Sequence, residues 1–289
     1  DHVISSRSLF GTTVGFINNI VTKFGIEVSH VSPTDVDEWK AAVKANTKLL
    51  FLETPSNPLG EVADLEALAE LAHSIGALLV VDNSLLSPVG SQPLKHGADI
   101  SVSSATKAID GHGRVMGGVL AGSEELMTQV AVYCNSCGLA MSPFNAWQLL
   151  SGVETLSLRM EKQFDNALKI AQWLQAQPQV QAVYYTGLPD HPQAELIRKQ
   201  QNGGGIVIGF EVADTDAAWK IVDSVELFSR TANLGDVRST ITHPWTTTHG
   251  RMQPEEKLAA NIRPGLVRLS VGLEYVDDLI DDLKQALAR

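Results

Sequence analysis

Two rhythms of apolar and polar positions run along the first half of the chain. Apolar stretches recur at Leu49 to Leu52, Ala77 to Val81 and Gly117 to Ala121, with a further strand candidate at Ala98 to Val102. Short apolar runs bounded by turn residues predict strands buried on both faces. His2-Val3-Ile4-Ser5 has the same strand-like pattern at the start of the chain. Between these runs the spacing changes. Val62, Leu65, Leu68, Ala69, Ala72 and Ile75 recur three and four apart until Gly76, which predicts a helix with one apolar face. Apolar strands interleaved with helices imply an α/β fold, with a mainly parallel sheet sandwiched by helices.

The second half reads differently. Pro143 suits a helix start, and Phe144, Trp147, Leu150, Leu156, Met160, Phe164, Leu168, Ala171 and Leu174 carry a helical spacing onward from it. One long helix is expected there, joining a large unit over residues 1–158 to a smaller α+β unit over 159–289. In the smaller unit a strand is expected over Gly205 to Phe210, a helix over Asp216 to Val222, a strand over Leu266 to Ser270 and a last helix from about Tyr275 to Leu287. The sequence contains no internal repeat and no low-complexity segment.

Composition narrows the function classes. The 289 residues are 44% hydrophobic, enough for a substantial core, and the formal net charge is −11. That charge disfavours nucleic acid or an anionic membrane surface as the main partner, because both call for a basic face. No apolar run is long enough to span a bilayer, and no secretory leader is visible. The two cysteines suggest a reducing cytoplasm rather than a disulfide framework. They form Cys134-Asn135-Ser136-Cys137, a lone C-x-x-C with no second pair to complete a metal site. The chain opens at Asp1 directly into a strand pattern, which reads as a chain lacking its natural N-terminus.

The chemistry concentrates where strands end. Ser103-Ser104-Ala105-Thr106-Lys107 follows one apolar run, and Val80-Val81-Asp82 closes another. In parallel sheets, ligands bind beyond the carboxyl ends of the strands, so Asn57, Asp82 and Lys107 are expected on one rim. Burial lowers the pKa of a lysine and leaves a nucleophilic amine at working pH. A buried aspartate and a buried lysine are the pair that pyridoxal 5′-phosphate requires. The lysine holds the aldehyde, and the aspartate keeps the ring nitrogen protonated so that the ring withdraws electrons. The hydroxyls of Ser104 and Thr106 could donate to the phosphate.

Several separate motifs, in order, resemble one family. They are Glu53-Thr54-Pro55-Ser56-Asn57-Pro58, Val81-Asp82-Asn83-Ser84, Ser104-Ala105-Thr106-Lys107 with Gly111-His112-Gly113-Arg114, and Val267-Arg268-Leu269-Ser270-Val271-Gly272-Leu273-Glu274. The chain is similar over almost its whole length to the Cys/Met-metabolism family of pyridoxal-phosphate enzymes, which have the type I aminotransferase-like fold. The resemblance implies that Lys107 is the Schiff-base lysine and mobile proton carrier. It implies that Asp82 pairs with the pyridine nitrogen, that Ser104 and Thr106 contact the phosphate, and that Phe10 stacks on the ring. The family often has tyrosine at the Phe10 position. On the substrate side it implies Asn57 near the cofactor's 3′ oxygen and the substrate carboxylate, with Asn233 close by and Arg268 clamping that carboxylate through its planar fork. The family also implies a homotetramer built from close dimers. Its N-terminal segment, which reaches a neighbouring subunit's phosphate, is not among these residues, so an incomplete cofactor site is expected.

Within the family, Thr12 stands where methionine γ-lyases carry cysteine, and Ala232 stands where cystathionine γ-lyases carry an acidic residue. A methyl group cannot pair with the distal ammonium of cystathionine, which favours sulfide as acceptor. With Gly111 to Arg114, Ser142 to Trp147 and Thr242-His243-Pro244, the pattern resembles the O-succinylhomoserine sulfhydrylase branch. The implied reaction is a γ-replacement on a homoserine ester. Arg114, a cation near Lys107, is a candidate for the succinyl carboxylate, and equally for a structural role. His243 and His249 read as loop or substrate-entrance residues. A cystathionine γ-synthase, a methionine γ-lyase or a regulatory homologue without cofactor remains an alternative.

Overall fold

The computed structural model describes residues 1–289. Its first sheet is built from β1 (His2–Ser6), β2 (Glu27–Val31), β3 (Thr47–Glu53), β4 (Leu78–Asp82), β5 (Ile100–Ser104) and β6 (Gly118–Gly122). Their spatial order is β2-β1-β3-β4-β5-β6. Every pair is parallel except β5 with β6. The apolar runs of the sequence thus become the strands of the expected α/β sheet. Leu50, Leu52, Leu79 and Val81 are fully buried against Leu65, Leu68, Ala72 and Trp39. Each such leucine contributes roughly 2 kcal/mol of transfer free energy.

The predicted first helix spans Leu65–Ser74. Asp64 caps it, its carboxylate accepting from the Ala67 amide at 3.1 Å, so the helix starts three residues later than the apolar spacing suggests. Its buried side is Leu65, Leu68, Ala69 and Ala72.

The long helix expected from Pro143 is two helices, Pro143–Glu154 and Leu156–Gln175, separated at Thr155. The side chain of Arg159 explains the break. Its guanidinium donates to the Gly152 carbonyl at 2.7 Å and its Nε to the Thr155 hydroxyl at 3.1 Å. It also reaches the carbonyls of Ala108 and Ile109, just past Lys107. Arg159 is nearly fully buried yet well supplied with acceptors, so a carbonyl freed at the helix end is satisfied by a side chain.

The second sheet contains β7 (Ala182–Tyr184), β8 (Val207–Glu211), β9 (Ser229–Arg230), β10 (Thr240–Thr242) and β11 (Leu266–Ser270), in the order β7-β8-β11-β10-β9. Helices Thr215–Ser224 and Val276–Leu287 pack their apolar faces with it, around Phe210, Ile221, Leu269, Leu279 and Leu283. Strands β7, β9 and β10 have two or three residues each, too few positions to show a period in the sequence. No helix is long and apolar enough to cross a membrane.

Two close approaches bring the sheets together at one place. Gly209 lies opposite Arg268 in the β8–β11 pair, and a Cβ there would sit 2.8 Å from the Pro58 carbonyl. Gly235 has φ +82°, and a Cβ there would meet Lys107 Cβ at 2.9 Å. A side chain at either position would push apart the loops that carry Asn57 and Lys107.

Candidate active site

The register aligns the carboxyl ends of the central strands: Glu53 pairs with Asp82, and Asp82 with Val102. The Asp82 carboxylate accepts from the Ser84 amide at 2.9 Å and the Ser84 hydroxyl at 2.6 Å. Ser84 Oγ in turn accepts from the Ser104 amide at 2.7 Å. One serine therefore ties the end of β4 to the end of β5. Burial pushes the Asp82 pKa up, and the two Ser84 bonds oppose that push.

Past β5 the chain makes one wide helical turn, Ala105–Ile109, in which Lys107 departs from helical geometry at φ −90° and ψ −126°. Its ammonium is turned across the rim and donates to Asn233 Oδ1 at 2.7 Å. Burial, and then the charge of Arg268, lower its pKa. Thr106 is anchored differently. Its hydroxyl accepts from the Gly117 amide at 3.0 Å and faces the Gly117 carbonyl at 3.3 Å, which fixes the turn to the start of β6.

Phe10 precedes helix Gly11–Asn19 with half of its surface exposed. Its amide donates to Glu53 Oε2 at 2.9 Å. The Ser8 hydroxyl donates to Glu61 at 2.9 Å, and Ser56 donates to the same Glu61 oxygen at 3.0 Å. The ring-bearing loop and the Asn57 loop are thereby pinned to each other.

Arg268 sits mid-strand in β11, 2% exposed. It donates to the Ala232 carbonyl at 2.7 Å, the Asn233 carbonyl at 3.4 Å and Asn57 Oδ1 at 3.5 Å. Its Nε is buried without a partner, and burial pushes its pKa down to about 10. A buried guanidinium with a free donor and no carboxylate is arranged to take an anion.

Hydrogen bonds and strand register thus join Phe10, Asp82, Ser104, Lys107, Asn233, Asn57 and Arg268 at one rim. Arg114 is engaged elsewhere. Its Nε donates to Asp110 at 2.9 Å and a second nitrogen to the Gln148 carbonyl at 3.3 Å. Asp110 lies four residues before Arg114, but Gly111 and Gly113 at positive φ make this segment a loop, so no helical spacing announces the pair. His243 is fully buried, with Nε2 on the Pro264 carbonyl at 2.7 Å, and so is a core histidine rather than an entrance residue. His249 is held neutral, its pKa pushed down to about 4 by burial and by the charges of Arg268 and Lys257. Ser84 and Glu53 also escaped the sequence reading. Glu53 had a signal, since it ends an apolar run as Asp82 does; the reach of Ser84 to β5 depends on a turn that composition does not encode.

A partly buried acid held by two donors, a lysine of lowered proton affinity, an aromatic face and an arginine with a free donor form the donor set that pyridoxal 5′-phosphate and an amino-acid substrate need. The fold and this rim define a pyridoxal-phosphate enzyme. The family model for "Cys/Met metabolism PLP-dependent enzyme" matches residues 1–288. The chain belongs to that family. It is 50% identical over 289 residues to an O-succinylhomoserine sulfhydrylase of Pseudomonas aeruginosa, covering all of this chain and 72% of the relative. It is 41% identical to an L-methionine γ-lyase of Porphyromonas gingivalis, covering 99% of this chain and 73% of that enzyme. The crystal structure of a cystathionine γ-lyase from Lactobacillus plantarum, complexed with L-serine, superposes with a TM-score of 0.96 at 34% identity, over 100% of this chain and 76% of that one.

Proposed function

We propose that the chain catalyses γ-replacement, converting O-succinylhomoserine and sulfide to homocysteine and succinate. The observation that carries this reading is the residue beside the carboxylate clamp. Ala232 offers its carbonyl to Arg268 at 2.7 Å, which sets this residue beside the clamp, and its side chain is a methyl. It provides no anion for the second ammonium of cystathionine, whereas sulfide requires none. The 50% identity to the Pseudomonas sulfhydrylase supports the same branch.

Pyridoxal 5′-phosphate, when bound, supplies the ring that draws electrons from the substrate's Cα. The protein's own groups do the rest. Arg268 and Asn57 hold the substrate carboxylate and so orient the Cα–H bond. Lys107, whose neutral amine is favoured by burial and Arg268, would take the proton from Cα, hand it on to the conjugated system so that the amine is free again, and then take one from Cβ. Asn233 Oδ1 holds that amine between uses. Asp82 would keep a negative charge against the ring nitrogen, and Ser104, Thr106 and Phe10 would hold the phosphate and the ring. Succinate then leaves from Cγ, sulfide takes its place, and Lys107 returns the protons. Since the Arg114 guanidinium serves Asp110, we assign it to the Lys107 loop rather than to the succinyl group.

Comparing acceptors tests the reading. With O-succinylhomoserine, sulfide should give homocysteine at least about tenfold faster, per kcat/KM, than cysteine gives cystathionine, a difference of about 1.4 kcal/mol. Preference for cysteine would identify a cystathionine γ-synthase. Ketoacid release from methionine at a comparable rate would identify a methionine γ-lyase.

We also propose that the chain works as a homo-oligomer, in line with the family's tetramers. Val119 and Leu120 on edge strand β6, and Phe144, Trp147 and Leu150 on the helix from Pro143, are exposed large apolar side chains. A second copy covering them would bury surface that water disfavours. Sedimentation at micromolar concentration should give a multiple of the single-chain mass; a monomer at every concentration would remove the proposal. Two free thiols, Cys134 and Cys137, suit a reducing cytoplasm.

A further inference from the structure

The carboxyl ends of β3 and β4 place two acids side by side. Glu53 and Asp82 are in register on neighbouring strands, so their side chains leave the sheet on the same face. Glu53 is 6% exposed. The surrounding charges are committed elsewhere. Arg7 pairs with Glu38, Glu61 receives Ser8 and Ser56, and Lys107 donates to Asn233. Two adjacent carboxylates without a cation do not both ionise; they share a proton.

Hydrogen bonding decides which acid keeps that proton. Asp82 receives two donors from Ser84, the hydroxyl at 2.6 Å. Glu53 receives one, the Phe10 amide at 2.9 Å. Donors favour the ionised form, so the charge settles on Asp82. We propose that Glu53 and Asp82 form a carboxyl pair with a single proton, carried by Glu53, and that Glu53 is the positioning residue that fixes the Phe10 loop over the cofactor ring while leaving the pair's charge to Asp82. The directions of titration agree. Burial first and Asp82 second push Glu53 up to about 8, against the Phe10 amide.

This arrangement solves a local conflict. The amide of the stacking residue needs an acceptor at a buried place. A second carboxylate there would compete with Asp82 for the ring nitrogen's proton, and a neutral acid accepts the amide without that competition. It also predicts a pH signature. Between the ordinary glutamate value of 4.5 and about 8, the unfolded chain releases a proton that the folded chain keeps. Glu53 therefore lowers the stability of the fold progressively as pH rises through that window, and the loss levels off above it.

The test uses the full chain and the variants Glu53→Gln and Glu53→Ala. Glutamine copies the neutral acid. Thermal unfolding without cofactor should show E53Q gaining on the native chain by roughly 3 °C per pH unit between pH 5 and 8. Equilibrium dialysis of pyridoxal 5′-phosphate at pH 7 should give E53Q an affinity within about threefold of native, and E53A one weaker by about tenfold or more, as expected for an unpaired buried amide. A pH-independent gap between E53Q and the native chain would overturn the shared proton. An E53Q affinity as poor as that of E53A would overturn the positioning role. The inference rests on reading Asp82 as the partner of the ring nitrogen, and Asp82→Asn separates the two. If only that reading fails, D82N keeps native affinity for pyridoxal 5′-phosphate while the pH-dependent gap of E53Q persists in the native background.

Discussion

Replacing Lys107 with alanine lowers turnover by about 10³-fold or more, the scale of a lost general acid–base group. The structure gives the lysine three properties that no neighbour shares. Its amine is turned out of the Ala105–Ile109 helical turn and reaches Asn233 at 2.7 Å. Its pKa is lowered by burial and by Arg268. It stands one turn beyond β5, the strand that the Ser84 bond ties to Asp82. No other lysine lies at the carboxyl ends of β3, β4 and β5 to take over. The direct check is borohydride reduction of the protein loaded with pyridoxal 5′-phosphate, followed by peptide mapping. A pyridoxyl group on Lys107 alone, lost in the alanine variant along with homocysteine formation, is the expected result. A label on another lysine, or a variant within tenfold of native turnover, would move the chemistry away from Lys107. The fold tolerates the change, because the Thr106 bonds to Gly117 and the Arg159 bonds to Ala108 and Ile109 hold that turn without the lysine side chain.

Lys107 and Asp82 were legible in the sequence for one physical reason: Asp82 closes an apolar run and Lys107 follows shortly after another strand pattern, and a parallel sheet places such strand ends on one rim. Glu53 carries the same signal. Its partner across the sheet, however, depends on a register that the sequence does not display, so the motif alone assigns the acid no role. The helix Leu65–Ser74 was legible from its spacing because it covers its strands with one apolar side; Gly11–Asn19, with only Ile17 buried, and Glu124–Cys137, with no buried residue, carry no such stripe. The long helix after Pro143 was not legible, since its break at Thr155 comes from a guanidinium seven residues past Gly152 in sequence and folded back on it. Arg114 was open to two readings in the sequence. Nearness to Lys107 in sequence suggests the substrate as readily as a structural role, and Asp110, fully buried four residues earlier in the same loop, holds the guanidinium. Arg268 was placed correctly as a buried arginine in an apolar strand. What the sequence could not supply was its unpartnered Nε, which depends on the atoms the fold brings around it.

That free donor makes Arg268 the second large expectation. Arg268→Leu and Arg268→Lys should each raise KM for O-succinylhomoserine by about 10²-fold, the usual cost of truncating one side of a buried charge pair. Lysine keeps the charge but loses the planar fork, so it should recover little of the binding. The two variants should separate in a second measurement. Arg268 lowers the proton affinity of Lys107; removing its charge raises that affinity and leaves less neutral amine at a given pH. The pH dependence of pyridoxal 5′-phosphate uptake by the cofactor-free chain, which requires the neutral amine, should therefore shift to higher pH in R268L and stay near native in R268K. The competing explanation is structural. Arg268 also satisfies the Ala232 and Asn233 carbonyls, and their loss could loosen the loop that holds Lys107. A substrate analogue without the α-carboxylate distinguishes the two. If Arg268 clamps the carboxylate, the analogue binds the native chain and R268L about equally weakly. If the arginine only supports the loop, the analogue loses as much affinity in R268L as O-succinylhomoserine does, and the clamp must be sought in another side chain of the rim.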